Sequence, residues 1–592
     1  MSRTAALGPD PELGADAAAD DVPTAARPRR RRALPGWRSL LLFVALAVLI
    51  DYQAVPDPAH RLFDPWTDPS QSTWFFSYVA HAFFTGHNAF VTNYLQYPSG
   101  INLMWNAAMP LLGIVAAPVT FTLGPVLAYH LLLVGGMALT AWTTRLWLGR
   151  YVGAPAAILG GAVFAFSPYA TGQAVYHVGQ SVLLFIPLML MLTEDLLWRR
   201  PRRQWISGVL LGLCLAGQML INEETALIAL IGMAVAALIA LVMRPVGTLR
   251  LLRGTTVGWL ATAVGFLVAV GGPLWVQFTG PHRFTSLPTG VYVAELQDWV
   301  VPTPHLLLNT SSRLQELTDR GLGQHEIGAY VGIPLLVLLV VLGFLLRHRL
   351  DARIALLSAF VLSVLSLGAR LRVGLDFVGP PLPGWVLFKL PVVRNVLPVR
   401  LSMAAWLAIA FVVALALDRA LKQLTGRVRI GAVAAVLLCC VPLLPAGFPS
   451  GNHTDVPGFF TGPGIRAIPR GSAVSILPYP ETDRARALLW VAESGMRVKL
   501  VGGAAKHTGP GGLGVAIPPT TPMTRWARDV TNGHTPGPHQ RDRALKWAKA
   551  HHVDYILIVL AYFPGETMTK ATKLVGHGPM EVTGGVAAWK VR

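Results

Sequence analysis

Residues 27–53 read RPRRRRALPGWRSLLLFVALAVLIDYQ, a cluster of arginines running straight into an apolar stretch. Arginines that flank a hydrophobic segment stay on the cytoplasmic side of a bilayer. Arg27 to Arg32 therefore hold the N-terminus inside, and the segment near 37–54 delivers the chain to the outer face. It runs into Asp51-Tyr52-Gln53 without a small-x-small cleavage site, which reads as an uncleaved first helix.

The pattern repeats along the chain. Of 592 residues, 53% are hydrophobic and only 13% charged, a balance foreign to soluble enzymes. Apolar runs of about 20 residues, enough to cross a bilayer, recur from Trp37 to Leu444. The formal charge of +19 sits largely in clusters beside those runs, at Arg199 to Arg203, Arg347 to Arg353 and Arg419 to Arg429. Such clusters orient a membrane protein and need no nucleic-acid partner. Cys214, Cys439 and Cys440 lie in apolar segments and suggest neither a disulfide framework nor a zinc site.

Following the charges gives an expected topology. Residues 1–36 form a disordered basic cytoplasmic tail, poor in large apolar side chains. Residues 37–446 form a polytopic region of about 11–13 transmembrane helices, with external loops at 55–106, 279–328 and 371–399. The apolar stretch 107–122 is short and holds Pro110 and Pro118, so it reads as re-entrant or partial. Residues 447–592 have the hydropathy of a small external α/β domain. Ala473 to Leu477 and Tyr555 to Val559 read as buried strands, and 483–493 and 540–551 as helices. The glycines of Val501-Gly502-Gly503 and of 509–512 lie in loop context and open no nucleotide-binding helix.

The first external loop carries the chemistry. Asp64-Pro65 and Asp68-Pro69 place two carboxylates four residues apart just beyond the first helix. One reading is structural: Asp68 caps the helix running through Trp74, with Pro69 at its first position, and Asp64 caps a turn. The loop continues through Trp74, His81, Gly86 and then Pro98-Ser99-Gly100-Ile101-Asn102-Leu103. This pattern resembles the first external loop of the C-type (GT-C) membrane glycosyltransferases. That fold is shared by protein O-mannosyltransferases, the oligosaccharyltransferase catalytic subunit and actinobacterial arabinosyltransferases. The likeness is greatest to a poorly characterised bacterial branch.

The resemblance implies a mainly α, GT-C-like membrane enzyme of the cell envelope. It would transfer a hexosyl or pentosyl unit from a polyprenyl-phosphate donor to an external glycan, lipid or protein acceptor, with inversion at the anomeric carbon. Such chemistry needs a carboxylate to take the acceptor proton and positive charge near the phosphate. Asp68 is the candidate base, with Asp64 as helper. His81, His177, Glu223, Glu224, His325, Arg394 and Arg400 are the candidate substrate-binding residues, and Glu326 follows His325 toward the same cavity. A divalent metal, Mg or Mn, is a candidate cofactor through Asp68, Glu223 and His177. Tyr176-His177 stands where metal-dependent members carry paired aspartates, which leaves metal dependence open. Two other readings are a transporter or flippase of lipid-linked precursors and a non-catalytic membrane assembly protein.

Overall fold

The computed structural model describes residues 36–199, 201–287, 292–309, 326, 328–374, 376–516, 519–563 and 565–591. The basic tail before residue 36, including Arg27 to Arg32, and His325 lie outside the described residues.

The chain forms a mainly helical bundle joined to a small mixed sheet. In order come α1 (Gly36–Ile50), α2 (Asp68–Thr85), α3 (Pro110–Thr122), α4 (Pro125–Leu148), α5 (Ala154–Ala165), α6 (Pro168–Tyr176), α7 (Val178–Ser181), α8 (Phe185–Glu194), α9 (Gln204–Ile221), α10 (Glu223–Met243), α11 (Pro245–Gly254) and α12 (Thr256–Thr279). After these come α13 (Ile333–Leu345), α14 (Leu350–Ser366), α15 (Ser402–Gln423) and α16 (Gly426–Cys440). Among the described residues seven helical stretches are long and apolar enough to cross a membrane, or eight if the bent pair α5–α6 counts as one span. The chain is a multi-pass membrane protein. The sequence expectation of about 11–13 crossings also counts shorter apolar helices such as α1 and α13, while α3 falls in the stretch read as re-entrant or partial.

Helix α3 has 13 residues with Pro118 inside it. At 1.5 Å per residue it covers about 20 Å, short of the hydrocarbon thickness. It lies instead against α2, with Gly113 so close to the Phe76 carbonyl that a Cβ there would sit 2.7 Å from the oxygen.

The spans share a polarity. Helix α10 runs from Glu223 to Arg244, and the span that includes α15 runs from Arg400 to Lys422. Helix α9 runs the other way, from Arg203 to Asn222. One end of the bundle is thus rich in arginine and the other gathers the acidic candidates. At the arginine-rich end, Glu194 accepts from Trp147 and Tyr151 and pairs with Arg150 and Arg199.

Helices α9 and α12 meet through small residues. A Cβ on Gly208 would lie 2.2 Å from the Gly258 carbonyl oxygen, and one on Gly212 would lie 2.3 Å from that of Thr262. Inside a membrane, where burial from water cannot drive helices together, such close backbone approach supplies the packing. It also sets the relative height of Asn222, Glu223 and Gln277 at the acidic end.

Beyond the bundle, five strands form a mixed sheet: β1 (Ala473–Leu477), β2 (Lys499–Leu500), β3 (Val553–Val559), β4 (Glu581–Thr583) and β5 (Val586–Lys590), in spatial order β4-β5-β3-β1-β2. β1 pairs in parallel with both β3 and β2, whereas β5 is antiparallel to β3. The two apolar runs legible in the sequence form its central pair, buried on both faces as parallel strands require.

The open edge of this sheet at β2 is taken by the first loop. Leu500 N–H donates to the Tyr94 carbonyl at 2.9 Å, Tyr97 N–H to Leu500 at 2.9 Å, and Gln96 N–H to Gly502 at 2.8 Å. An edge that would otherwise expose unpaired backbone is thereby covered, and the loop and the sheet become one surface.

Gly212→Leu should overpack the α9–α12 contact and destabilise the protein by about 1–3 kcal/mol. Thermal unfolding in detergent micelles measures this, and a melting temperature equal to that of the parent would show that the close approach is dispensable.

Candidate functional site

The stretch 64–68 folds as a turn feeding α2. Asp64, at φ 33°, accepts from Trp66 N–H at 3.3 Å and from the Thr67 hydroxyl at 3.1 Å, closing the turn with its side chain. Trp66 is clasped from the sheet side, with the Arg486 guanidinium 4.0 Å over its ring and Tyr562 edge-on at 5.3 Å. The helix cap is Thr67, whose side chain makes no capping bond, and Asp68 is the first helical residue. Asp68 is thus not the capping residue that the local sequence suggests.

Its carboxylate turns toward α6. Asp68 Oδ2 lies 3.1 Å from His177 Nε2, and both side chains are about a fifth exposed, at 23% and 21%. His177 is placed by the break between α6 and α7, and its Nδ1 lies 3.0 Å from Gln173 Oε1. Gln173 Nε2 donates to Glu326 at 3.3 Å. Glu326 is gripped by Arg400, whose Nε reaches both carboxylate oxygens at 3.1 Å and whose terminal nitrogens bond Glu326 and Glu224. Glu224 further accepts from Gln180 at 2.9 Å and from Leu397 N–H at 2.8 Å, and Gln180 accepts from Tyr169 at 3.1 Å. A continuous polar path thus runs from Asp68 to Tyr169.

The partners assign the protons. Glu326, ionised against Arg400, only accepts, so the Gln173 NH2 faces it and the Gln173 oxygen faces His177. Nδ1 of His177 therefore carries a hydrogen. The other ring nitrogen, Nε2, faces Asp68 Oδ2.

Arg400 and Glu326 are almost fully enclosed, with side-chain exposures of 10% and 3%. One guanidinium between two carboxylates satisfies both, and this is the arrangement in which Arg outperforms Lys.

Lys506 completes the cluster and went unnoticed in the sequence, because no local pattern distinguishes it. It follows the Gly502-Gly503 turn, where φ of 92° and 120° bring the backbone against Tyr479 and Leu95. First-loop amides hold this segment. Gln71 donates to Ala504, Gln96 to Ala505 at 2.7 Å, and Asn106 binds the Lys506 backbone on both sides, accepting at 2.8 Å and donating at 3.2 Å. The Lys506 side chain is exposed yet lies within the fields of Arg400, Glu224, Asp68 and Glu326. Desolvation there, followed by repulsion from Arg400, lowers its pKa, against attraction from Glu224, Asp68 and Glu326.

The remaining candidates separate. Glu223 opens α10 beside Glu224 but takes a bond from Gln277, which also donates to the Met104 carbonyl at 3.0 Å. Arg394 is exposed and donates to the Thr285 carbonyl. His81 is 8% exposed on α2, among the rings of Tyr78, His87 and Tyr94.

Among the described residues no group of three or more His, Cys, Asp or Glu side chains could hold an ion. Both ring nitrogens of His177 already have partners, and Glu224 and Glu326 are neutralised by Arg400.

No family model matches the sequence, and no curated protein matches it. Solved structures do resemble it. The mycobacterial arabinofuranosyltransferase AftD aligns at TM-score 0.47 and 15% identity over 94% of this chain, which spans only 40% of that protein's length. The Archaeoglobus fulgidus oligosaccharyltransferase aligns at 0.47 and 12% identity, over 92% of this chain and 71% of the other. ArnT from Cupriavidus metallidurans, solved with undecaprenyl phosphate, aligns at 0.47 and 13% identity, over 95% and 99%.

Arg400→Met strands the buried Glu326 and the half-buried Glu224 and should cost about 3–5 kcal/mol of stability. Adding Glu326→Gln should recover part of the loss. Unfolding midpoints of the single and double variants measure this coupling, and simple additivity would show that the two residues do not act as a pair.

Proposed function

We propose that this protein is a membrane glycosyltransferase that moves a sugar from a polyprenyl-phosphate donor to an acceptor hydroxyl outside the cell. The observation that carries the reading is the union, at one end of the bundle, of a partly open carboxylate and a cation. Asp68 is held by the His177–Gln173–Glu326–Arg400 path, and Lys506 interacts electrostatically with Asp68, Arg400, Glu224 and Glu326.

In this reading the acceptor oxygen attacks the anomeric carbon. The bond from that carbon to the phosphate oxygen breaks, its electron pair leaves with the phosphate, and the hydroxyl proton passes to Asp68. The configuration inverts. His177 orients Asp68, as the third group of a catalytic set commonly does. Asp64 shapes the turn. Arg400, committed to two glutamates, holds the frame, and the charge offered to the donor phosphate comes from Lys506. The protein sits in the cell membrane with its N-terminus and arginine-rich end in the cytoplasm and the Asp68 end and sheet domain outside, following the arginine distribution.

Asp68→Asn should lower transfer by about 10²–10⁴-fold in lipid with polyprenyl-phosphate sugars. Unchanged turnover in that variant would remove Asp68 as the base, while no transfer from any donor would turn the balance toward transport or assembly.

Lys506→Met should raise KM for the donor without unfolding the protein, because the side chain packs in no core. Since its pKa lies below that of an ordinary lysine, the amine loses its charge earlier as pH rises, and donor binding should weaken on the alkaline side. Lys506→Arg should move that decline to higher pH. An alkaline limb indifferent to the arginine would detach Lys506 from the phosphate.

A further inference from the structure

Helix α11 takes no part in the core. None of its ten residues is buried, yet it is fixed at both ends. Pro245 opens it two residues after α10 ends at Met243, and α12 begins at Thr256, two residues after Gly254. The Thr248 hydroxyl donates to the Ala240 carbonyl at 3.1 Å, and the Gln204 side chain of α9 donates to the Gly254 carbonyl at 3.0 Å. Both α10 and α12 are long and apolar enough to cross a membrane. A helix of about 15 Å held this closely between two spans lies at the membrane surface.

Its sequence suits that position. Arg250 and Arg253 are three residues apart and share a face, and Leu249 and Leu252 form a like pair one residue earlier, about 100° round the helix. A basic stripe beside an apolar one is the pattern of a helix lying in the bilayer interface. Val246, Leu249 and Leu251 are 69%, 41% and 40% exposed. Tryptophan, which gathers at membrane interfaces, is exposed on both sides of the neighbouring turn, at Trp198 and Trp205.

The charges here have no protein counterpart. Residues 196–222 and 225–294 contain no Asp or Glu. The two acids next in sequence are spent elsewhere, Asp195 on Arg150 and Glu194 on Arg150 and Arg199. Arg202 and Arg203 at the start of α9, with Arg244, Arg250 and Arg253, are exposed and pair with no carboxylate among the described residues. The Gln204 bond to Gly254 joins the two arginine-bearing segments into one surface.

We propose that α11 and the start of α9 together bind the headgroups of anionic phospholipids. Guanidinium forks match phosphate oxygens, and the leucine stripe reaches the hydrocarbon beneath. A zwitterionic headgroup brings its own ammonium and would leave the arginines unneutralised. A soluble acidic partner would meet the arginines but leave Val246, Leu249 and Leu251 in water.

The proposal rests on the membrane-spanning fold and is independent of the transferase reading, so loss of transfer would leave it standing. Delipidated full-length protein in detergent micelles is titrated with phosphatidylglycerol, with phosphatidylcholine as the zwitterionic counterpart, with inorganic phosphate and with hexaglutamate. Native mass spectrometry counts the bound ligand. Phosphatidylglycerol should bind about tenfold or more tightly than phosphatidylcholine. Arg250→Gln with Arg253→Gln should weaken it by about fivefold for each arginine removed, and Arg202→Gln with Arg203→Gln should do the same from the other segment. Both variants should keep the parent melting temperature, because these side chains are exposed. Arg427→Gln with Arg429→Gln removes the same exposed charge from the start of α16 and should leave binding unchanged. Equal affinity for the two phospholipids, equal losses from the α11 and α16 pairs, or binding of phosphate or hexaglutamate as tight as that of phosphatidylglycerol would overturn the assignment.

Discussion

Arg400 between Glu224 and Glu326 is the constraint on which the rest of the acidic end depends. Three segments distant in sequence meet at one guanidinium: the start of α10, the residues before α13 and the turn leading into α15. A buried arginine with two carboxylates is stable only when each oxygen finds a donor, and here Gln173, Gln180 and the Leu397 amide supply them. The requirement propagates outward. Gln173 must present its oxygen to His177, and His177 then fixes Asp68.

The sheet domain is therefore part of the site rather than an appendage. The first loop completes its edge, its Arg486 clasps Trp66 behind the Asp68 turn, and its Lys506, held through its backbone by Asn106, acts electrostatically on Asp68 and Arg400. Amide side chains from three places in the first loop, Gln71, Gln96 and Asn106, hold the 504–506 segment through its backbone. Backbone recognition of this kind depends on where the segment lies and is indifferent to its side chains, so it leaves little trace in the residues recognised.

Much of the helical layout was legible because hydrophobic runs and flanking arginines are local signals. The strands Ala473–Leu477 and Val553–Val559 announced themselves as short, branched, apolar runs. The first loop's two aspartates were visible too, but their roles were not separable by local chemistry. Either can close a turn. Only the placement of His177 across the fold distinguishes Asp68, while Asp64 spends both oxygens on Trp66 and Thr67. Glu326 could be noticed beside His325 and Arg400 before its helix, yet nothing in their spacing says that they bond.

The sequence by itself determined a multi-pass helical protein with an acidic first loop and a mixed α/β tail, because hydropathy and charge act over windows of a few turns. The tertiary structure decided which charges meet. Asp68, His177, Glu224, Glu326, Arg400 and Lys506 span more than four hundred positions of chain, and long-range ion pairing depends on how helices pack, through contacts such as Gly208 on Gly258. That packing also moved Arg394 out to a carbonyl on the surface and brought Lys506, unremarkable in its own neighbourhood, into the field of Asp68 and Arg400.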